Sequence, residues 1–254
     1  KLNETTLYAI DQFVMRGGRV LAAVDPHSEV SLTVGDDGQP VKGYTEASDL
    51  DPLLEDWGVS YDKSHIIGDR KLAMQVATGF DARRQTSDYV LWINVPKSNL
   101  DPEDIVTANI DQLNLATVGE LSPTKDATTH FTPLIWSSKD SEVYDLDYVK
   151  SGLTPDVLLE SFKPSDKRHV IAARISGPIK SAFKSVPVID QSQEKTKRSD
   201  SLSTPPPYVA QTQHDANIIV IADSDLFDDR FWVEIQNYDG RRVAKPIADK
   251  AKYI

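Results

Sequence analysis

At 254 residues, with 39% hydrophobic and 26% charged content, the chain can bury one large core or two small ones and has the composition of an ordinary globular protein. Its 39 acidic and 28 basic residues give a formal charge of −11, which argues against a nucleic-acid partner and against docking on anionic lipid, since both select a basic face. There is no cysteine, so a thiol nucleophile, a disulfide framework and a cysteine-ligated metal are excluded.

In chain order, Leu7, Ile10, Phe13 and Val14 recur at helical spacing and predict an amphipathic helix. Gly17 and Gly18 stop it, because glycine adopts the left-handed conformation that closes helices. Val20 to Val24 follows as a short apolar run, expected to be a parallel strand covered on both faces, and Asp25-Pro26 ends it. That is half of a strand–helix–strand unit. Because the chain opens at Lys1, it reads as a piece of a longer protein.

Asp49 to Trp57 predicts a second helix, with Asp49 or Asp51 as cap, Pro52 in the first turn and Gly58 at the end. His65 to Gly68 reads as a strand ending on Asp69, and Tyr89 to Val95 as a strand rich in aromatic and β-branched residues. Leu113 to Leu121 and Leu134 to Trp136 suggest further strands. Val143 to Phe162 is helical in places, interrupted by Gly152 and Pro155, and Val170 to Ile175 is a clear strand. Pro187 to Tyr208 is polar, charged and proline-rich, and reads as a mobile loop (187-208). Ile218 to Ala222 is the last strand, followed by Asp223-Ser224-Asp225 and a short helix through Phe231 and Trp232. Alternating strands and helices predict one α/β domain over 1-254, built on an open, doubly wound, mostly parallel sheet with extra strands.

Three predicted strands end on an acid: Asp25, Asp69 and Asp223. If they run parallel, their carboxylates share the edge where ligands bind, and Asp225, Asp228 and Asp229 add to it. Such a set suits Mg²⁺ or Ca²⁺, whereas the simpler reading has each aspartate capping the next turn. His27, just past a strand tip, joins the candidate ligand-binding set Asp25, His27, Asp69, Asp223 and Asp225. No metal is assigned.

Other chemistry finds no support. His27, His65, His130, His169 and His214 show no metal-ligand spacing, and no serine sits in a G-x-S-x-G elbow. Asp223-Ser224-Asp225 mimics an aspartate-nucleophile phosphatase motif, but too little chain follows to supply its other groups. There is no phosphate-binding loop. Arg16, Arg174 and Arg241-Arg242 read as solvated or paired. Trp57, Trp92, Trp136 and Trp232 read as packing residues, with Trp232 a candidate interface anchor.

Four stretches carry a family resemblance. AIDQF…GG…DP (Ala9 to Pro26), LLEDWGVSYDKSHIIGD (Leu53 to Asp69), AARISGPIKSAF (Ala172 to Phe183) and IIVIADSDLFDDRFWV (Ile218 to Val233) resemble the GldG-type auxiliary component of ABC transport systems, named after a gliding-motility protein. The resemblance implies a flavodoxin-like core similar to class I glutamine amidotransferases. It also implies an extracytoplasmic, periplasmic-side domain anchored in the inner membrane by flanking helices.

An amidotransferase needs a cysteine nucleophile, and this chain has none. The expected role is therefore non-catalytic binding to an ABC permease or ATPase subunit or to envelope proteins, with no cofactor. A homodimer is a further expectation, because an unpaired sheet edge invites pairing. The rival readings are a metal-dependent hydrolase and a sugar or peptide sensor at the acidic edge.

Overall fold

The computed structural model describes residues 2–30, 47–78, 85–187, 206–238 and 241–248. Helix α1 (Glu4–Met15) starts where the Asn3 side chain accepts the Thr6 N–H at 2.8 Å, a capping bond for an otherwise orphan donor. It stops where Gly17 takes φ +88 and Gly18 N–H returns to Phe13 O at 2.9 Å. The buried face is not the one expected. Leu7, Asp11, Gln12, Val14 and Met15 are buried, whereas Phe13 is 53% exposed. Two long-range polar ties turn the helix that way. Asp11 accepts Ser181 Oγ and Ala182 N–H, and Gln12 bonds both backbone groups of Val209.

Strand β1 (Arg19–Ala23) pairs parallel with β11 (Ala216–Ile221), in register Ala23↔Ile221. β11 pairs antiparallel with β10 (Val170–Gly177), which pairs antiparallel with β7 (Leu121–Pro123) and β8 (His130–Trp136). β2 (Val59–Tyr61) closes the far side on β7. The order is thus β1-β11-β10-β7-β2, with β8 branching from β10. The sheet is mixed, and β1–β11 is the parallel pair among the described strands, so the mostly parallel expectation is corrected. Residues 113–121 also divide, into β6 (Gln112–Ala116) and β7, because Thr117 turns at φ +47 and Gly119 follows.

Helices cover one face of this sheet. Ala22, Val24, Ile218, Val220, Ala173 and Ile175 pack beneath α1 and beneath α2 (Leu53–Asp56), whose Leu53, Leu54 and Trp57 are fully covered. The other face carries a three-stranded antiparallel sheet, β4 (Ala73–Thr78), β5 (Gln85–Pro96) and β6, which brings Ile93, Val95, Leu113 and Leu115 onto Ile171, Ile219 and Ile221. The doubly wound expectation of helices on both faces is corrected: the β4-β5-β6 sheet supplies that layer, with Leu91, Ile93 and Val95 of β5 buried.

A smaller pair, β3 (His65–Asp69) with β9 (Ser141–Asp145), lies beside β5 with α3 (Leu146–Lys150) and α4 (Pro155–Ser161). β12 (Val233–Tyr238) and β13 (Arg241–Pro246) form a hairpin. The segment after β11 is two 3₁₀ turns, Asp225–Phe227 and Asp229–Phe231, and not a short helix. Most of the expected loop 187-208, residues 188–205, falls outside the described residues. No described helix is long and apolar enough to cross a membrane.

Among the described strands β1 lies at the end of its sheet. Its Leu21 is 44% exposed, so the expectation of cover on both faces fails.

Candidate functional site

The parallel register of β1 and β11 fixes the site. Ala23 lies opposite Ile221, so two residues on, Asp25 lies opposite Asp223, both on the face toward the second sheet. Asp225, at the start of the 3₁₀ turn that follows β11, turns back to join them. One carboxylate oxygen from each lies within 4.8 Å of the others, and Asp25, Asp223 and Asp225 are buried to 0%, 0% and 1% exposure.

Three acids at such spacing repel one another, and backbone donors supply the compensation. Asp25 accepts from His27 N–H (2.8 Å), Ser224 N–H (2.8 Å) and Ser224 Oγ (2.7 Å). Asp223 accepts from Ala116 N–H and Leu226 N–H, both at 3.0 Å. Asp225 accepts from Ser28 Oγ (2.7 Å), Glu29 N–H (2.7 Å) and Val30 N–H (3.2 Å). Each of the six carboxylate oxygens therefore holds at least one donor.

Burial pushes the Asp25 carboxyl up to about 7, with the Asp225 charge adding to it and the Ser224 and His27 donors opposing it. Burial, then Asp25, then Asp225, raise Asp223 well above the carboxylate range. The cluster thus holds a proton near neutral pH.

The arrangement stitches strand tips together. Loop 26–30 is bound to Asp225, the end of β6 to Asp223, and the turn after β11 to Asp25. Thr117 Oγ1 adds a bond to His27 O at 2.6 Å, and Gly119 N–H one to Ala222 O at 2.8 Å. These acids fill turn-capping roles, the simpler of the two sequence readings. These donors now occupy the carboxylate oxygens, although one oxygen from each acid lies close enough to the others to ligate a single cation.

The structure brings Asp25, Asp223 and Asp225 together and places His27 beside them through its backbone. Asp69 is elsewhere: its strand β3 pairs antiparallel with β9, and it binds Ser138 N–H (2.6 Å), Ser138 Oγ (2.8 Å) and Leu72 N–H (3.0 Å). The expectation that it shares the acidic edge is corrected. Asp228 and Asp229 serve their own turn, bonding Arg230 and Trp232.

Arg174 forks onto Asp104, and Arg16 binds Gln12 O and Pro207 O. Trp57 is core, and Trp92 donates to Glu29 Oε1 at 3.1 Å. His169 lies between Glu120 Oε1 (2.8 Å) and Ser165 Oγ (3.0 Å). Ser165 Oγ also accepts Lys167 N–H, so this chain of bonds ties down the loop before β10. Ser28, Glu29, Val30 and Ala116 were missed as members of the cluster. The turn-forming Asp-Pro-His-Ser run could have flagged Ser28, whereas Ala116 arrives by a contact across the fold that no local pattern shows.

The model of the family described as ABC-type uncharacterized transport system matches residues 1–254, and the chain belongs to that family of ABC-transport auxiliary components. No curated protein and no solved structure matches it.

Proposed function

We propose that the chain is a non-catalytic binding domain of an auxiliary subunit in an ABC transport system, of the GldG type tied to gliding motility. On this reading it sits on the extracytoplasmic side of the bacterial inner membrane and engages a permease, its ATPase or an envelope protein. The family match along the whole chain carries the reading. The missing cysteine supports the non-catalytic part, because an amidotransferase-like fold without that nucleophile has lost its chemistry. The closed state of the acidic cluster supports it too, since eight donors hold the three carboxyls. The flavodoxin-like likeness is kept as part of the proposal for the α1–β1–β11 part alone, since the rest of the main sheet pairs antiparallel.

The test is a pull-down of the full-length protein from detergent-solubilised membranes with mass spectrometry. Permease and ATPase recovered at comparable abundance is the expected result. Recovery of the bait alone would remove the transport role.

A further inference from the structure

The outer edge of β1 lies next to an apolar groove. Val24 N–H donates to Ile221 O at 2.9 Å, so residues 20, 22 and 24 turn both backbone groups toward β11. Arg19, Leu21, Ala23 and Asp25 therefore turn theirs outward. Asp25 uses its pair: its carbonyl accepts Ser48 N–H at 2.7 Å and its N–H donates to Ser48 Oγ at 3.0 Å, an antiparallel bridge. Among the described residues no further ladder neighbour stands opposite Ala23, Leu21 and Arg19.

Beside this edge runs a groove of about 490 Å³ between α1 and β1, walled by Ala9, Ile10, Phe13, Val20, Ala22 and Leu50. None of its lining residues is charged, in a chain that is 26% charged. Phe13, 53% exposed, and Leu21, 44% exposed, are among the most exposed large hydrophobic side chains described. An outward-facing backbone row flanked by a helix is the geometry into which an extended peptide adds as a strand. Backbone bonds then hold it, and every second side chain enters the groove.

We propose that the β1 edge and the α1 groove bind an extended segment of a partner protein, added antiparallel to β1, apolar at alternate positions and acidic at its C-terminal end. This rests on the reading of the domain as a binding module. Two observations select the occupant. The Ser48 bridge already starts an antiparallel strand at Asp25, and a segment continuing in that direction ends beside the exposed Arg19, where a carboxylate fits. A second copy of this chain suits the edge less well, because each copy brings a net charge of −11.

Leu21→Pro is the sharp probe. The proline removes an outward donor that the β11 ladder does not use, a position where edge strands tolerate proline. The probe ligands are random peptides displayed on phage and selected against the 254-residue chain. Enriched peptides should show the alternating apolar pattern with a terminal acid. Binding should weaken about tenfold, a single hydrogen bond's worth, on Leu21→Pro and comparably on Phe13→Glu. Bound peptide should slow amide exchange at Leu21 and Ala23, with Val20, Ala22 and Val24 unchanged. Should Leu21→Pro fail to fold, Phe13→Glu and Arg19→Glu carry the test.

Peptides that bind all variants equally would overturn the proposal. So would a dimer in light scattering that dissociates on Phe13→Glu, since a second copy then fills the edge. In the membrane pull-down, transporter subunits recovered equally by wild type and variants would leave the transport reading intact and remove this surface. Their absence from wild type would remove both.

Discussion

The buried acids make stability depend on pH in an unusual direction. Asp25 moves from 3.8 when unfolded to about 7 when folded, so between those values the native state holds a proton that the unfolded chain releases. Stability contributed by this proton is present below about pH 4 and is lost as pH rises through about 7. A shift of about three units corresponds to roughly 4 kcal/mol, and the slope for one proton reaches about −1.4 kcal/mol per pH unit. Asp223 acts in the same direction. Asp62 and Asp104 are shifted the other way, by hydrogen bonds from Ser64 and Arg174, so they act below the usual carboxylate range. The assay is urea unfolding at intervals from about pH 5 to about pH 8, comparing wild type with Asp25→Asn. An amide at residue 25 can still accept from Ser224, but its NH₂ then faces the His27 N–H, a mismatch costing about 1–3 kcal/mol. The variant should therefore be the less stable protein at the acidic end, with a slope shallower by one proton, so that the two curves converge or cross toward pH 8. Wild-type stability that is flat or rises over this range, or a variant that keeps the full slope, would refute the reasoning. High salt should change the slope little, because screening reaches buried pairs poorly.

Three further outcomes follow from the packing. Gly58→Ala should cost about 1–3 kcal/mol in urea unfolding, because φ is +83 and a Cβ would stand 2.3 Å from Thr129 Oγ1. Trp57→Ala should cost about 3–5 kcal/mol, since the ring is fully buried, whereas Phe13→Ala should change stability by less than about 1 kcal/mol, and thermal melts will rank the two. Asp104→Ala should lower stability by about 2 kcal/mol by removing the carboxylate on which Arg174 forks, and Arg174→Met should recover part of the loss in the double variant.

How much of this was legible in the sequence depended on distance along the chain. The strand tip at Asp69, the helix stops at Gly17 and Gly58 and the break around Gly152 and Pro155 were local signals and were read correctly, whereas the starts of β5 and β8 and the split into β6 and β7 were not. Partner choice was not local. Asp69 ends its strand as Asp25 and Asp223 do, yet β3 pairs with β9, and nothing inside HIIGD specifies that. The run Tyr89 to Val95 announced an apolar strand, but not that its sheet would replace a helical layer. The face of α1 was misjudged for the same reason. Helical periodicity ranks Phe13 above Asp11, while Ser181, Ala182 and Val209, far along the chain, draw Asp11 and Gln12 inward. The closing hairpin had a usable signal that went unread, the Asp-Gly pair at 239–240 between β-prone segments.

The acidic cluster shows how a correct local reading, acids at strand tips, can serve either capping or ligand chemistry. Aspartates at the carboxyl ends of strands invite a ligand only if their oxygens remain available. Here the parallel register brings Asp25 against Asp223, and the repulsion this creates is met by N–H groups of the following turns, which point inward because Pro26, Ser28, Ser224 and Thr117 bend the chain there. The same acids that end the strands therefore close the edge at which ligands bind in parallel sheets. Another described edge with outward backbone groups and apolar walls is the other side of β1, beyond the residue where Ser48 leaves it. On that argument the strand that supplies Asp25 to the stitched tip also presents Leu21 and Ala23 to a partner.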